Sequence, residues 1–206
     1  MNRKELKYHN RQLRYQTPHE IALWALGLNK RSILTTSFGR YSATLIHLLN
    51  DLKSDIPVIW CDTGFYNERT YAFAHKMMSK FDLNLFQYAP EKTSAYLNFL
   101  YERPLETGKN FDEFVEAIKL QPLKRALSEH QPELWFTNIR EDQTDFRRSQ
   151  NILSMTDDGI LKVSPFYFYS EEAIKDYMAT YKLPINEDYF DVTKQRFGDE
   201  CGIQLL

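Results

Sequence analysis

Apolar residues follow two alternating spacings along the chain, one typical of strands and the other of helices. Short apolar runs of strand length cover 31–36 and 56–61, and a segment with helical spacing, 41–52, lies between them. A further helix is predicted at 19–26, after a polar N-terminal segment. A strand, a helix and a second strand in succession form the unit of a parallel sheet with right-handed crossovers.

The same alternation continues toward the C-terminus. Strands are predicted at 84–88 and 134–138, and helices at 68–80, 112–120, 123–130 and 171–181. Residues 160–168 are expected to form an edge strand because Pro165 interrupts them, and 90–109 is expected to be a long loop. The fold class that follows is α/β, with a doubly wound, mostly parallel sheet flanked by helices.

Periodicity ends near Pro184. We therefore predict two parts, an α/β domain over 1–183 and a flexible C-terminal tail over 184–206. The 206 residues are enough to bury one core of good size.

Composition and charge argue against several classes of protein. No stretch approaches the roughly 18–20 consecutive apolar residues that cross a bilayer, and the N-terminus is charged where a secretion signal would be apolar. We therefore expect a cytoplasmic protein without a membrane partner. The formal net charge of −2 gives no basic excess for binding duplex nucleic acid.

The chain has two cysteines, Cys61 and Cys201, and no CxxC pair. They cannot build a disulfide framework or a cysteine-ligated zinc or iron–sulfur site within one chain, so any redox role falls on one thiol. Cys61 ends an apolar run and is expected to be a buried small hydrophobe. Cys201 lies in a polar, glycine-flanked segment, where acidic neighbours raise the thiol pKa, so its thiolate needs a basic partner such as Arg196 or nearby pocket cations.

Polar turns follow the first two predicted strands, at the sheet edge where open α/β sheets bind ligands. The first turn leads into a helix whose amides favour anions. Its candidate ligand-binding residues are Thr36, Ser37, Phe38, Gly39, Arg40 and Ser42. An ordinary turn in which Ser37 or Ser42 caps the helix fits these residue types equally well.

The second turn contains Asp62, Thr63 and Gly64. Asp62 can accept hydrogen bonds from an adenosine amino or ribose hydroxyl group, and Gly64 allows the chain to leave the strand sharply. The alternative is that these residues cap the next helix.

A third group of candidate residues follows the predicted strand 134–138. Arg140, Gln143 and Arg147 lie in a loop at the same edge of the sheet, where guanidinium groups suit phosphate or sulfate. Lys162 is a further cation near this edge. Acidic residues within the loop leave a solvated charged loop as the alternative.

These residues together resemble the phosphoadenylyl-sulfate (PAPS) reductase family, within the wider group of ATP-pyrophosphatase-like adenine nucleotide alpha-hydrolase folds. Segments in the family's order carry the resemblance. They are Thr36-Ser37-Phe38-Gly39, Asp62-Thr63-Gly64 with Thr70-Tyr71, Trp135-Phe136 with Arg140, Gln143 and Arg147, Lys162-Val163 with Pro165, and Glu200-Cys201-Gly202-Ile203.

The resemblance implies a reaction in which the Cys201 thiolate attacks the sulfur of PAPS, giving S-sulfocysteine and adenosine 3′,5′-bisphosphate. Thioredoxin or glutaredoxin would then release sulfite. It also implies that the three groups of candidate residues bind the nucleotide and that Arg140, Arg147 or Lys162 favours the thiolate. Iron–sulfur-containing adenylyl-sulfate reductases carry extra paired cysteines, so this chain is similar to the cluster-free branch, without a metal or bound cofactor.

Two other functions stay open at this point. An ATP-pyrophosphatase-type adenylating or thiolation enzyme would use the same first turn, although Phe38 stands where such enzymes have a second glycine. A non-catalytic sulfonucleotide-binding protein is the other alternative. The sequence also leaves the oligomeric state open, a homodimer included.

Overall fold

The structure, a computed structural model, describes residues 1–194. Part of the predicted tail, with Arg196 and Cys201, therefore lies outside the described residues. The α-helices are α1 (Arg3–Leu13), α2 (Pro18–Leu26), α3 (Ser42–Leu52), α4 (Glu68–Phe81), α5 (Ser94–Leu100), α6 (Pro104–Thr107), α7 (Phe111–Val115), α8 (Gln121–His130), α9 (Asp145–Arg148) and α10 (Glu171–Thr180). The strands are β1 (Ser32–Thr36), β2 (Val58–Cys61), β3 (Leu85–Tyr88), β4 (Leu134–Phe136), β5 (Leu153–Met155) and β6 (Leu161–Val163). A π-helical turn, Glu116–Leu120, joins α7 to α8, and a 3₁₀ turn covers Val192–Lys194.

The strands form one sheet in the order β3-β2-β1-β4-β6-β5. All neighbours are parallel except β5, which runs antiparallel to β6. The chain proceeds outward from β1 to β3 and then crosses to β4 on the other side of β1, so a topological switch point lies between β1 and β4. The predicted α/β class with a mostly parallel sheet is confirmed.

Helices cover both faces of the sheet, which is why the central strands are continuously apolar. Successive residues of a strand point to opposite faces. Leu34 and Trp60 enter the larger core, whereas Ile33, Ile59 and Trp135 pack on the other face beside α8. This packing brings the carboxyl ends of β1, β2 and β4 to one edge.

The prediction of an edge strand at 160–168 is wrong. β6 lies in this segment but pairs with β4 on one side and β5 on the other. The edge is formed by β5, which is too short to give a recognisable alternation. Pro165 follows β6 and so does not interrupt it.

Two segments without predicted structure are helical. The polar N-terminus forms α1, whose start is fixed by a capping box between Asn2 and Glu5. The predicted loop 90–109 contains α5, capped by Thr93, and α6, which begins with Pro104. Local caps mark these helices where apolar periodicity is weak.

The chain after α10 packs back onto the domain. Asn186 donates through its side chain to the carbonyl of Phe38 at 2.9 Å and through its N–H to the carbonyl of Arg40 at 3.2 Å. Asp191 and Val192 are buried. The division of the chain at 183 stays a prediction. Of the helices in residues 1–194, none has the length and apolarity that crossing a membrane requires.

Candidate active site

A cavity of about 320 Å³ opens at the carboxyl ends of β1, β2 and β4. Segments that are far apart in the sequence meet in its wall, including the turn after β1, the loop after β4 and the residues that follow α10. The predicted site residues that line it are Thr36, Ser37, Gly39, Arg40, Ser42, Arg140, Gln143 and Arg147. Their convergence is what the sheet topology predicts for a ligand site.

The turn after β1 leads into α3 without a side-chain cap at the start of the helix. Tyr41 occupies the N-cap position and makes no side-chain capping bond within the described residues. The hydroxyl of Ser42 is buried and has no hydrogen-bond partner in residues 1–194. The alternative in which Ser37 or Ser42 caps this helix is therefore wrong. The N–H groups of Ser42 and Thr44 instead donate to the carbonyls of Gly39 at 3.0 Å and Tyr41 at 3.2 Å, and the positive end of the helix dipole lies beside the cavity.

Phe38 is a core residue of this turn. Its side chain is fully buried, with its ring edge-on to Trp60 at 5.1 Å between centroids. Its φ of +49° is in the left-handed region, a conformation that costs a residue with a side chain about 1–3 kcal/mol. The ring is not part of the cavity wall as described. Phe38 therefore anchors the turn in the core. The geometry does not support a direct contact between its side chain and a ligand.

Asp62, Thr63 and Gly64 form a braced turn beside the cavity and are not among the residues that line it. The Asp62 carboxylate accepts from the N–H of Gly64 at 3.0 Å, the hydroxyl of Tyr71 at 2.8 Å and the side-chain amide of Gln87 at 2.9 Å. Burial and this carboxylate raise the pKa of Tyr71. The role of Asp62, Thr63 and Gly64 in binding a nucleoside stays a prediction.

The alternative for this turn, a helix cap, is wrong because Asn67 caps α4 instead. Gly64 has a φ of +76°, and a Cβ there would lie 2.8 Å from the hydroxyl of Ser94. Only glycine fits this position without a shift of its neighbours.

The loop after β4 carries two buried guanidinium groups. Arg140 is 5% exposed and Arg147 is 7% exposed, so the solvated charged loop is not what the structure has. Gln143 organises both, since its side-chain oxygen accepts from the N–H of Arg140 and from Nη1 of Arg147. Arg140 also donates to Asp142 at 3.2 Å and stacks its guanidinium over Tyr41. Buried guanidinium groups at a cavity favour an anionic ligand.

Lys162 lies apart from the residues that line the cavity. Because Leu161 and Val163 point into the larger core, Lys162 points to the opposite face of β6. There it is 4% exposed, and its ammonium lies 5.2 Å from the centroid of the Trp135 ring. It is therefore not solvent-facing.

The cavity wall also contains a buried ion pair that was not predicted from the sequence. Nζ of Lys119, in the π-helical turn, lies 2.5 Å from the carboxylate of Asp191, and each side chain is 2% exposed. The hydroxyl of Thr193 adds a hydrogen bond of 2.6 Å to that carboxylate. Burial by itself would raise the pKa of Asp191, but Lys119 and Thr193 outweigh it and hold the pKa at about 2. The signal in the sequence was a lysine between the apolar residues Ile118 and Leu120.

Asn138 and Tyr66 were also missed. Asn138 follows β4 directly and donates to the carbonyl of Tyr41 at 3.0 Å, which ties the arginine loop to the start of α3. Tyr66 lines the cavity after β2. Residues 1–194 contain no group of His, Cys, Asp and Glu side chains suited to holding a metal ion.

Comparison with known proteins gives matches over most of the chain. Residues 31–198 match the family model described as phosphoadenosine phosphosulfate reductase domain. A phosphoadenosine 5′-phosphosulfate reductase of Synechococcus sp. is 33% identical over 193 residues, which cover 92% of this chain and 82% of that protein. One of Vibrio cholerae is 32% identical over 177 residues, covering 85% and 70%. The solved PAPS reductase of Candida auris, in a phosphate complex, shares the fold with a TM-score of 0.81 and 21% identity, covering 91% of this chain and 90% of that one.

Proposed function

The chain belongs to the phosphoadenosine phosphosulfate reductase domain family, and from that premise we propose that it reduces PAPS to sulfite with Cys201 as the nucleophile. The observation that carries the proposal is the pair of buried guanidinium groups, Arg140 and Arg147, in one cavity with the uncapped start of α3. PAPS places a phosphate and a sulfo group side by side. The two guanidinium groups can donate hydrogen bonds to these anions, and the positive end of the α3 dipole adds a favourable charge.

The proposed reaction has two steps. In the first, the Cys201 thiolate attacks the sulfur of the sulfo group, a sulfur–sulfur bond forms, and adenosine 3′,5′-bisphosphate leaves with the electron pair of the broken oxygen–sulfur bond. In the second, a dithiol protein such as thioredoxin or glutaredoxin attacks the Cys201 sulfur and sulfite leaves. The second thiol of the reductant then frees Cys201, and the reductant ends as a disulfide.

The position of the last described residues supports this role for Cys201. Lys194 lines the cavity and precedes Cys201 by seven residues. Seven extended residues span at most about 25 Å, so the thiol can reach the cavity. The arginines would stabilise both the thiolate and the charge that develops on the leaving phosphate.

The test is the intact mass of the protein after incubation with PAPS in the absence of any reductant. We expect the protein to gain the mass of one SO₃ group, peptide mapping to place it on Cys201, and Cys201→Ser to gain none while it still binds adenosine 3′,5′-bisphosphate. An adduct on Cys61, or sulfite production by the serine variant, would overturn the assignment of the nucleophile.

A pyrophosphate-release assay with ATP and a nucleotide-binding assay, run beside the mass measurement, separate the other two functions. Magnesium-dependent release of pyrophosphate from ATP without an adduct would indicate an ATP-pyrophosphatase-type enzyme. Tight nucleotide binding with neither an adduct nor pyrophosphate release would indicate a binding protein without catalysis.

A further inference from the structure

The cavity wall contains a buried hydroxyl, that of Tyr66, that no group in residues 1–194 satisfies. Tyr66 is 8% exposed, and it is one of the residues that line the cavity. A buried hydroxyl without a hydrogen bond lowers the stability of the protein, and at a cavity wall it can bond to a polar atom of a ligand that enters. The nucleotide of the proposed function would enter this same cavity.

Packing fixes the Tyr66 ring in place. Its centroid lies 6.4 Å from that of Trp60, 6.2 Å from that of Tyr71 and 6.2 Å from that of Tyr189. Aromatic contacts on several sides leave the ring little freedom to turn its hydroxyl elsewhere. The position of the hydroxyl is therefore set before a ligand arrives.

The charges around Tyr66 indicate which part of a nucleotide it faces. Burial, together with the nearby Tyr189, Asp191 and Asp62, raises the pKa of Tyr66 well above its usual value, so its hydroxyl stays protonated. The ring packs on Trp60 of β2, whereas the buried arginines follow β4, and β1 lies between these strands. Adjacent strands are about 4.8 Å apart, so the ends of β2 and β4 are separated by roughly 10 Å.

We propose that the Tyr66 hydroxyl binds the uncharged nucleoside half of the nucleotide, its ribose or base, while the arginine loop binds the anionic half. This rests on the proposed function only in taking the ligand to be a nucleotide. The carboxylate of Asp62, which accepts from the Tyr71 hydroxyl beside Tyr66, disfavours a phosphate at this position, whereas Asp191 is neutralised by Lys119. A neutral hydroxyl or ring nitrogen carries no such penalty.

The experiment compares Tyr66→Phe with the native protein by isothermal titration of adenosine 3′,5′-bisphosphate and of pyrophosphate. We expect the variant to bind the nucleotide about three- to tenfold more weakly, as for one neutral hydrogen bond, and to bind pyrophosphate unchanged. Without ligand the variant should unfold at the same temperature as the native protein or higher, because it loses only an unsatisfied hydroxyl. Tyr88→Phe is the control, since it removes a hydroxyl that donates to Glu129 and lies outside the cavity wall.

Equal nucleotide affinity in Tyr66→Phe would overturn the inference, as would an equal loss of pyrophosphate and nucleotide binding. A lower unfolding temperature of the ligand-free variant would also overturn it, because the hydroxyl would then have a partner within the protein. The two proposals can fail separately. If the native protein forms no SO₃ adduct but its nucleotide affinity still falls in Tyr66→Phe, the reductase function is wrong and the role of Tyr66 stands.

Discussion

The ion pair of Lys119 and Asp191 makes each residue depend on the other. We expect Lys119→Met to lower the free energy of unfolding by about 3–5 kcal/mol at pH 7, because it leaves a carboxylate buried without its cation. Urea unfolding measures the change. Lys124→Met is the matched control, since Lys124 is exposed and pairs with Glu116 at the surface, and we expect it to cost less than about 1 kcal/mol. Equal losses in the two variants would contradict this account.

The same pair gives a pH dependence of defined sign. The native pKa of Asp191, about 2, lies below its ordinary value of 3.8, so its contribution to stability is fully present above about pH 4 and is lost as the pH falls toward 2. In Lys119→Met, burial raises that pKa, so the stability of the variant falls as the pH rises from about 4 to 7. The gap between the two proteins should therefore widen over this range, and a constant gap would contradict the assignment to Asp191.

Arg147 is buried in the cavity wall, whereas its neighbour Arg148 is exposed outside it. We expect Arg147→Ala to reduce kcat/KM for PAPS by about a hundredfold, because it removes one preorganised, charged hydrogen-bond donor from the site. Arg148 is exposed and pairs with Asp145, so Arg148→Ala should leave kcat/KM within about twofold. Steady-state sulfite production measures both, with thermal unfolding to check that each variant is folded. Similar losses would place the effect in the helix α9 and not in the cavity.

Residue types at the ends of predicted strands indicated much of the site but not its internal roles. Arg140 and Arg147 were predicted and line the cavity. Phe38 was predicted as a contact, but its ring fills the core, because side-chain direction in a turn depends on a φ that the sequence does not reveal. Lys119 was missed because its partner lies 72 residues away, and no local pattern records such a pair.

At the scale of elements, α1 and β5 form one unit. The side chain of Asn10 donates to the carbonyl of Leu153 at 2.9 Å and accepts from its N–H at 2.8 Å, so a helix residue takes the place of a further strand at the sheet edge. An unpaired edge exposes backbone groups that promote aggregation. The helix thus closes the antiparallel end of the sheet.

Loss of the contact between Asn10 and Leu153 should change both the stability of the whole protein and the hydrogen exchange of the sheet edge. We expect Asn10→Ala to lower the free energy of unfolding by about 1–2 kcal/mol and to speed hydrogen exchange at the amide of Leu153. Gln12→Ala, on the exposed side of α1, is the control and should change neither quantity. Unchanged exchange at Leu153 in the Asn10 variant would show that the helix does not protect the edge.

Elements with strong periodicity were predicted to within a few residues, as β2 and α4 illustrate. Elements stabilised by caps or by tertiary pairing were not, as α1 and β5 illustrate. The difference is physical: apolar periodicity reports burial of a face, whereas a three-residue strand exists only because its neighbour is there.

For the whole molecule, the alternation of strands and helices was enough to predict a parallel sheet, and the switch point placed the cavity. The return of the chain after α10 was not predictable, because 184–194 lacks periodicity and is held by contacts with residues far away in the sequence, such as the ion pair of Asp191 with Lys119 and the packing of Tyr189 on Tyr66. Asn186 is the clearest case, since its bonds go to the backbone carbonyls of Phe38 and Arg40.

That return has a consequence for the timing of protein synthesis. The turn after β1 leaves the ribosome before Asn186 does. Asn186, whose side chain donates to the carbonyl of Phe38, lies 148 positions further along the chain and follows every strand. Domains fold as they are synthesised from the N-terminus, and contacts of such long range form late. A nascent chain can therefore pair its sheet and still lack a finished pocket until Asn186 has left the ribosome.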